Sequence, residues 1–353
     1  MTTRVSDLPI TVEDGLATWT VEPAAAATTE QARELVKENA GAVLDHLHRD
    51  GALRVRGLRS VRAAKDFNAV VAEVLPALRD YVGGTSPREQ VHGKIMTATY
   101  VPPDWSIILH QEMAYTRTLP AYLAFSCERP ADHGGLSTWG DMRAALDRVD
   151  RGVRERLDRH GLRLGRTLLS PETVHLKPGV KKPWTEVFGT TDRAEVDRVA
   201  AERGWETEWI RDDAVRLYQE VVPAVREHPV TGVSVWCNQA HFFNPSCMMR
   251  WAAEDGREPE RAEQERAARE NPELLDRMYL GNGDPVGDDD ALHVYRVLRE
   301  LERGVALQAT DLLLIDNLLV AHGRTAFQGE RRILVALADR PEQTARNGQG
   351  EAQ

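Results

Sequence analysis

The chain has 353 residues, 42% of them hydrophobic, which is enough for one large folded unit or two modest ones with a substantial core. Its 45 Lys and Arg are outnumbered by 55 Asp and Glu, and the net charge of −10 disfavours general attraction to nucleic acid or anionic lipid and favours a small-molecule partner. No apolar run approaches a membrane span, no basic segment leads into an apolar N-terminal stretch, and Cys127, Cys237 and Cys247 lack CxxC spacing, so the reading is a soluble cytoplasmic protein with reduced thiols.

The first element in chain order is helical: in TEQARELVKENAGAVLDHLH (29–48), Ala32, Leu35, Val36, Ala40, Val43 and Leu47 recur at helix spacing. Strand-like runs follow at ALRVRGL (52–58), KIMTATYV (94–101), SIILHQEM (106–113) and YLAFSCE (122–128), each short and bounded by turn residues. The middle of the chain reads as helical at DRAEVDRVAAERG (192–204) and DDAVRLYQEVVPAVREH (212–228). A second strand block holds GVSVWCNQAHFF (232–243), DLLLIDN (311–317), LVAHGR (319–324) and RRILVALAD (331–339). Between them, Arg and Glu interleave over Arg257–Arg269 as on a solvated helix, which outweighs reading that stretch as a docking patch for an acidic protein. The expectation is one domain over 1–353, with helical insertions at about 141–225 and 252–300 and a polar tail over 341–353. Two sequence-distant strand blocks separated by helices suggest an antiparallel sandwich or barrel, which requires the first block to pair with the last.

Within SIILHQEM, alternation puts His110 and Glu112 on one strand face. Such a pair clasps a metal ion or forms an ordinary hydrogen-bonded couple, and two residues alone do not choose between these. Pairing of the strand blocks would bring in His322 as a third donor. Two histidines and one carboxylate make the facial triad of non-haem Fe(II) oxygenases, with three coordination positions open for a 2-oxo acid and O2. The same donors also suit a zinc hydrolase, although the chain has no HExxH helix, and a further alternative is a jelly-roll binding protein without a metal. A 2-oxo acid bound to iron needs a cation for its far carboxylate, a role this reading gives to Arg332, with the Ser137 hydroxyl as second donor. Arg331 adjoins it, and since consecutive strand residues face opposite ways only one of the two can serve.

Taken together and in order, GALRVRGL, LHQEMAYTRTLPAYLAFSCERPADHGGLSTWGD, WTEVFGTTDRAEV, HPVTGVSVWCNQAHFF and DLLLIDNLLVAHGRTAFQGERRIL resemble the taurine and 2,4-dichlorophenoxyacetate dioxygenase-like family. Within it, the likeness is to the branch of the syringomycin-biosynthesis aspartyl hydroxylase. The resemblance implies a double-stranded β-helix (a cupin-like jelly roll) with helical decorations, His110, Glu112 and His322 as iron ligands, and Arg332 with Ser137 or Thr138 on 2-oxoglutarate. It also implies Ser106, Trp236, Asn238 and His241 on the substrate side, against the plain reading of an aromatic strand residue as core. Asp316 and Asn317 would tie down backbone near the metal. The position four past Arg332, often basic in relatives that act on sulfonates or free amino acids, is Ala336, so an anionic substrate group must be met elsewhere. The implied reaction is hydroxylation of an amino acid, free or carrier-protein-tethered, in natural-product biosynthesis, with desaturation or cyclisation as alternatives. Glu112 fills the place that halogenases of the superfamily leave open for chloride.

Overall fold

Leu312–Asp316 is buried at every position, because both of its faces meet a core. Leu312 and Leu314 pack with Val36, Val43, Leu47, Phe67 and Val70 of the N-terminal helices, while Leu313 and Ile315 face a second core with Leu123, Ile333 and Val335. Strand alternation over an apolar run therefore makes this strand the partition between a helical layer and the interior of a sandwich. The computed structural model describes residues 8–81, 88–178, 182–211, 213–341 and 343. All but two residues of the expected polar tail lie outside them.

The helical layer forms as its periodicity predicts, but as two helices, Thr29–Glu38 and Ala40–Asp50. Thr28 and Gln31 close a reciprocal capping box at the start of the first. A third helix, Ala64–Val74, joins them. The large sheet runs in the order Ile10–Glu13, Leu16–Thr20, Ala52–Arg56, Leu312–Asp316, Tyr122–Arg129, Arg332–Ala338, Ile95–Thr97, Gln90–His92. It is antiparallel except where Leu16–Thr20 runs parallel to Ala52–Arg56. A second, four-stranded sheet has the order Arg303–Val305, Ser137–Asp141, Val320–Arg324, Ile107–His110. Early and late strand blocks pair, as the sequence required.

The middle of the chain departs from expectation. The insertion over 141–225 is not purely helical: Leu162–Leu168, Glu206–Ile210 and Ala214–Tyr218 join Arg277–Leu280 in a separate antiparallel sheet. The stretch 212–228, expected as helix, supplies the strands Ala214–Tyr218 and Val225–Glu227. Its run AVRLY fits a strand with both faces covered as well as it fits a helix, since four of the five residues are buried. Arg193–Glu202 and Glu258–Glu270 are helices as predicted, and Arg261 of the latter pairs with Glu258 and Glu265, as a solvated face should. The three cysteines are buried and free. Among the described residues, no helix is long and apolar enough to cross a membrane.

Candidate metal centre and co-substrate cavity

Val320–Arg324 lies antiparallel to Ile107–His110 with His322 directly opposite His110, so the sheet ladder itself sets the two imidazoles side by side, 4.4 Å between ring centres. The strand carrying His110 stops there, short of the expected 106–113. Glu112 follows in a turn in which Met113 takes a left-handed φ of 55°. Alternation thus does not aim Glu112; Asn317 does. Its buried amide accepts from the Glu112 N–H at 2.8 Å and donates to the carbonyls of Glu112 and Pro120 at 3.0 and 2.9 Å. Asp316 accepts from the N–H groups of Leu318 and Leu319 and pairs, fully buried, with His228 and Arg340. Both residues therefore hold backbone beside the site, as expected from the sequence. Asn317→Ala orphans one buried N–H and two buried carbonyls. We expect it to cost on the order of 3 kcal/mol in urea unfolding and to weaken metal binding along with stability.

One donor atom each from His110, Glu112 and His322 come within 4.8 Å of one another, close enough for one ion to be shared by all three. The His110 Nδ1–H donates to the Ile108 carbonyl at 3.0 Å, which leaves Nε2 with its lone pair free for a metal. Burial pushes both histidines below the usual imidazole range, His322 well below it, so both stand neutral, the form that ligates. The donor set fits a divalent transition metal such as iron.

His110 and His322 line a cavity of about 130 Å³ between the two sheets, together with Phe125, Phe242, Trp251, Leu313 and Ile333, and Glu112 stands beside them within reach of both imidazoles. Ser137 and Thr138 also line it, the Thr138 hydroxyl without a partner among the described residues. Gly323 is glycine because a Cβ there would strike the Ile107 carbonyl and the Thr138 hydroxyl, and its bareness lets the strands close around His322.

The expected clamp is corrected. Arg332 does not line this cavity; it is more than half exposed and pairs with Glu128. Arg331 instead lines the cavity, with Nη2 donating to the Ser137 hydroxyl at 3.2 Å and Nε to the Gly135 carbonyl at 3.1 Å. Burial and the neighbouring Arg324 bring its pKa down to about 10, so it is still a cation at neutral pH. No carboxylate pairs with it among the described residues, and a buried cation in that situation calls for an anionic ligand.

The four expected substrate contacts are corrected too; none lines the cavity. Ser106 is engaged by Asp255 and Trp251. Trp236 is fully buried in the core. Asn238 donates to the Ala224 carbonyl, and His241 donates to the Leu109 carbonyl, where burial lowers its pKa to about 4. The strand expected over 232–243 covers only Ser234–Trp236, so alternation fails beyond it and Phe242, not His241, faces His110, at 5.1 Å. The sequence reading also missed Arg88 and Arg324, which both line the cavity.

A sequence profile of the taurine catabolism dioxygenase TauD, TfdA family matches residues 16–337. The chain belongs to this family. As a TauD, TfdA family member it is a non-haem iron, 2-oxoglutarate-dependent dioxygenase. It is 31% identical over 294 residues, 82% of each chain, to a clavaminate synthase-like protein of Arabidopsis thaliana. It is 28% identical over 297 residues, 83% of each chain, to the dapdiamide synthesis protein DdaC of Enterobacter agglomerans. A solved structure of asparagine oxygenase with Fe(II), 2S,3S-3-hydroxyasparagine and succinate shares the fold, with a TM-score of 0.50 at 12% identity over 91% of this chain and 93% of that one.

Proposed function

We propose that this TauD-family enzyme hydroxylates an unactivated C–H bond of an amino acid or amino-acid-derived small molecule in natural-product biosynthesis, and that its two main sheets form a double-stranded β-helix. The observation that carries the reading is the convergence of His110, His322 and Arg331 on one small cavity, with a Glu112 oxygen within 4.8 Å of both imidazoles. Dapdiamide synthesis, the process named for one relative, supports the amino-acid class.

His110, Glu112 and His322 hold the iron, and Arg331 with the Ser137 hydroxyl holds the far carboxylate of 2-oxoglutarate. Iron and 2-oxoglutarate supply the oxidative chemistry: O2, 2-oxoglutarate and R–H give succinate, CO2 and R–OH. The protein's own work is placement and exclusion. Phe125 and Phe242 stand against the two ligand imidazoles, at 5.3 Å from His322 and 5.1 Å from His110, and with Ile107, Leu313 and Ile333 they keep the reacting volume apolar. Thr138 offers a hydroxyl to whichever polar ligand atom lies beside Ser137.

Incubation with Fe(II), 2-oxoglutarate and a panel of amino acids and amino-acyl carriers is expected to give succinate that depends on iron and on one substrate. Under 18O-labelled O2 that substrate gains one labelled oxygen, with no chlorinated product at any chloride concentration, because Glu112 occupies the position a halide would need. A product two hydrogens lighter and unlabelled would overturn hydroxylation in favour of desaturation or ring closure.

A further inference from the structure

Three arginines, Arg88, Arg324 and Arg331, line the cavity, and their hydrogen bonds separate their roles. Arg331 is joined to Ser137 and Gly135 at the co-substrate end. Arg324 donates to the carbonyls of Val101, Pro102 and Trp105, which makes it a brace for the 101–105 segment. Arg88 differs from both. Its side chain is only 6% exposed and is stacked over the Tyr81 ring at 4.4 Å. Nη2 donates to Glu112 Oε2 at 2.5 Å, the same oxygen that lies 4.0 Å from His322 Nε2. Its Nε and Nη1 are buried and have no acceptor among the described residues. A guanidinium only donates, and leaving its N–H groups buried without an acceptor is costly, so the two donors call for an anionic group in the cavity.

We propose that Arg88 is the specificity-determining residue of this enzyme, its Nε and Nη1 receiving the carboxylate of a free amino-acid substrate. The inference rests on the amino-acid reading above and narrows it. An amino acid carried as a thioester has no α-carboxylate to offer. Glu112 anchors Arg88 through Nη2, so the residue assigned to the metal also fixes the group that orients the substrate. A carboxylate on Arg88 then lies one guanidinium away from a metal ligand, which brings the carbons next to it toward the metal centre. Val335, four residues past Arg331, and Ala336 are both apolar and give this role no competitor on the last strand.

The test uses full-length protein loaded anaerobically with Co(II) and 2-oxoglutarate, and follows the visible Co(II) absorption while the twenty L-amino acids are added, each as free acid and as C-terminal amide. The expected result is that at least one free acid shifts the spectrum and that its amide binds roughly 10- to 100-fold more weakly, the size of a lost charge-assisted contact. Arg88→Met should bind acid and amide alike, while Arg88→Lys should keep part of the preference and show that the Met variant is not simply misfolded. A structural role for Arg88 would lower both affinities together and leave their ratio unchanged. Equal binding of acid and amide by the wild type, or a preference that survives in Arg88→Met, overturns the role and leaves the amino-acid reading standing. Silence of the whole panel, with 2-oxoglutarate itself still shifting the spectrum, rejects the amino-acid reading and this role with it.

Discussion

His322→Ala is expected to abolish iron-dependent succinate formation and to lower Fe(II) affinity by at least about 100-fold, since losing a group that merely supports a ligand already costs 10- to 100-fold. One of three donors disappears, and the two that remain, His110 and Glu112, stand at the end of a strand and in the turn after it, where nothing else on those elements can replace the missing nitrogen. The fold should survive. His322 Nδ1 has no hydrogen-bond partner among the described residues, so alanine breaks no protein contact of that kind, and the ring faces the cavity. The stability cost should stay within about 1–2 kcal/mol, in the ordinary range for a substitution with no special mechanism. Anaerobic Fe(II) titration alongside a urea melt separates the two effects. Full activity in His322→Ala would remove the metal centre from this cavity altogether.

What the sequence made legible follows from where polarity alternates and where it does not. Short β-branched runs between turn residues marked most strands of the two main sheets, and the need to pair early and late blocks placed His322 opposite His110. Reading failed where a segment is apolar on both sides. In Arg332–Ala338 the odd positions Ile333, Val335 and Leu337 face the sandwich interior while Leu334, Ala336 and Ala338 face the helices, so hydrophobicity could not say which face held the site or which arginine shared it. The register shift between Arg332 and Ile333 adds to the ambiguity at the point that matters. AVRLY carried no periodicity able to separate strand from helix. Trp236, Asn238 and His241 were attractive because functional residue types sat on a presumed strand, but that strand ends at Trp236 and their polar groups serve backbone. Arg88 belongs to no motif. It becomes a site residue only through the fold, which brings it against Glu112 twenty-four positions away.

Arg331→Ala should raise the 2-oxoglutarate requirement by roughly 10- to 100-fold, the loss of about 1.5–3 kcal/mol of charged hydrogen bonding, whereas Arg332→Ala should change it less than about twofold. The contrast follows from where each side chain lies. Arg332 does not line the cavity and gives up only an ion pair with Glu128 in which its own side chain is more than half exposed, worth about 0–1 kcal/mol. Arg331 gives up the only charged group among the described residues that shares a hydrogen bond with Ser137 inside the cavity. Melting curves provide a readout independent of turnover. A ligand at about 100 times its Kd stabilises the folded state by about 2.7 kcal/mol, so 2-oxoglutarate with an inert divalent metal should raise the wild-type Tm by several degrees. That increment should vanish in Arg331→Ala and persist in Arg332→Ala. Without 2-oxoglutarate, Arg331→Met should be at least as stable as the wild type, because it removes a buried cation with no carboxylate partner among the described residues. Since burial holds the Arg331 pKa at about 10, wild-type affinity for 2-oxoglutarate should be flat through neutral pH and fall as the pH rises past that value and the charge is lost. Equal losses in the two alanine variants would mean that the far carboxylate is held elsewhere, and a loss confined to Arg332→Ala would place the strand one residue out of register.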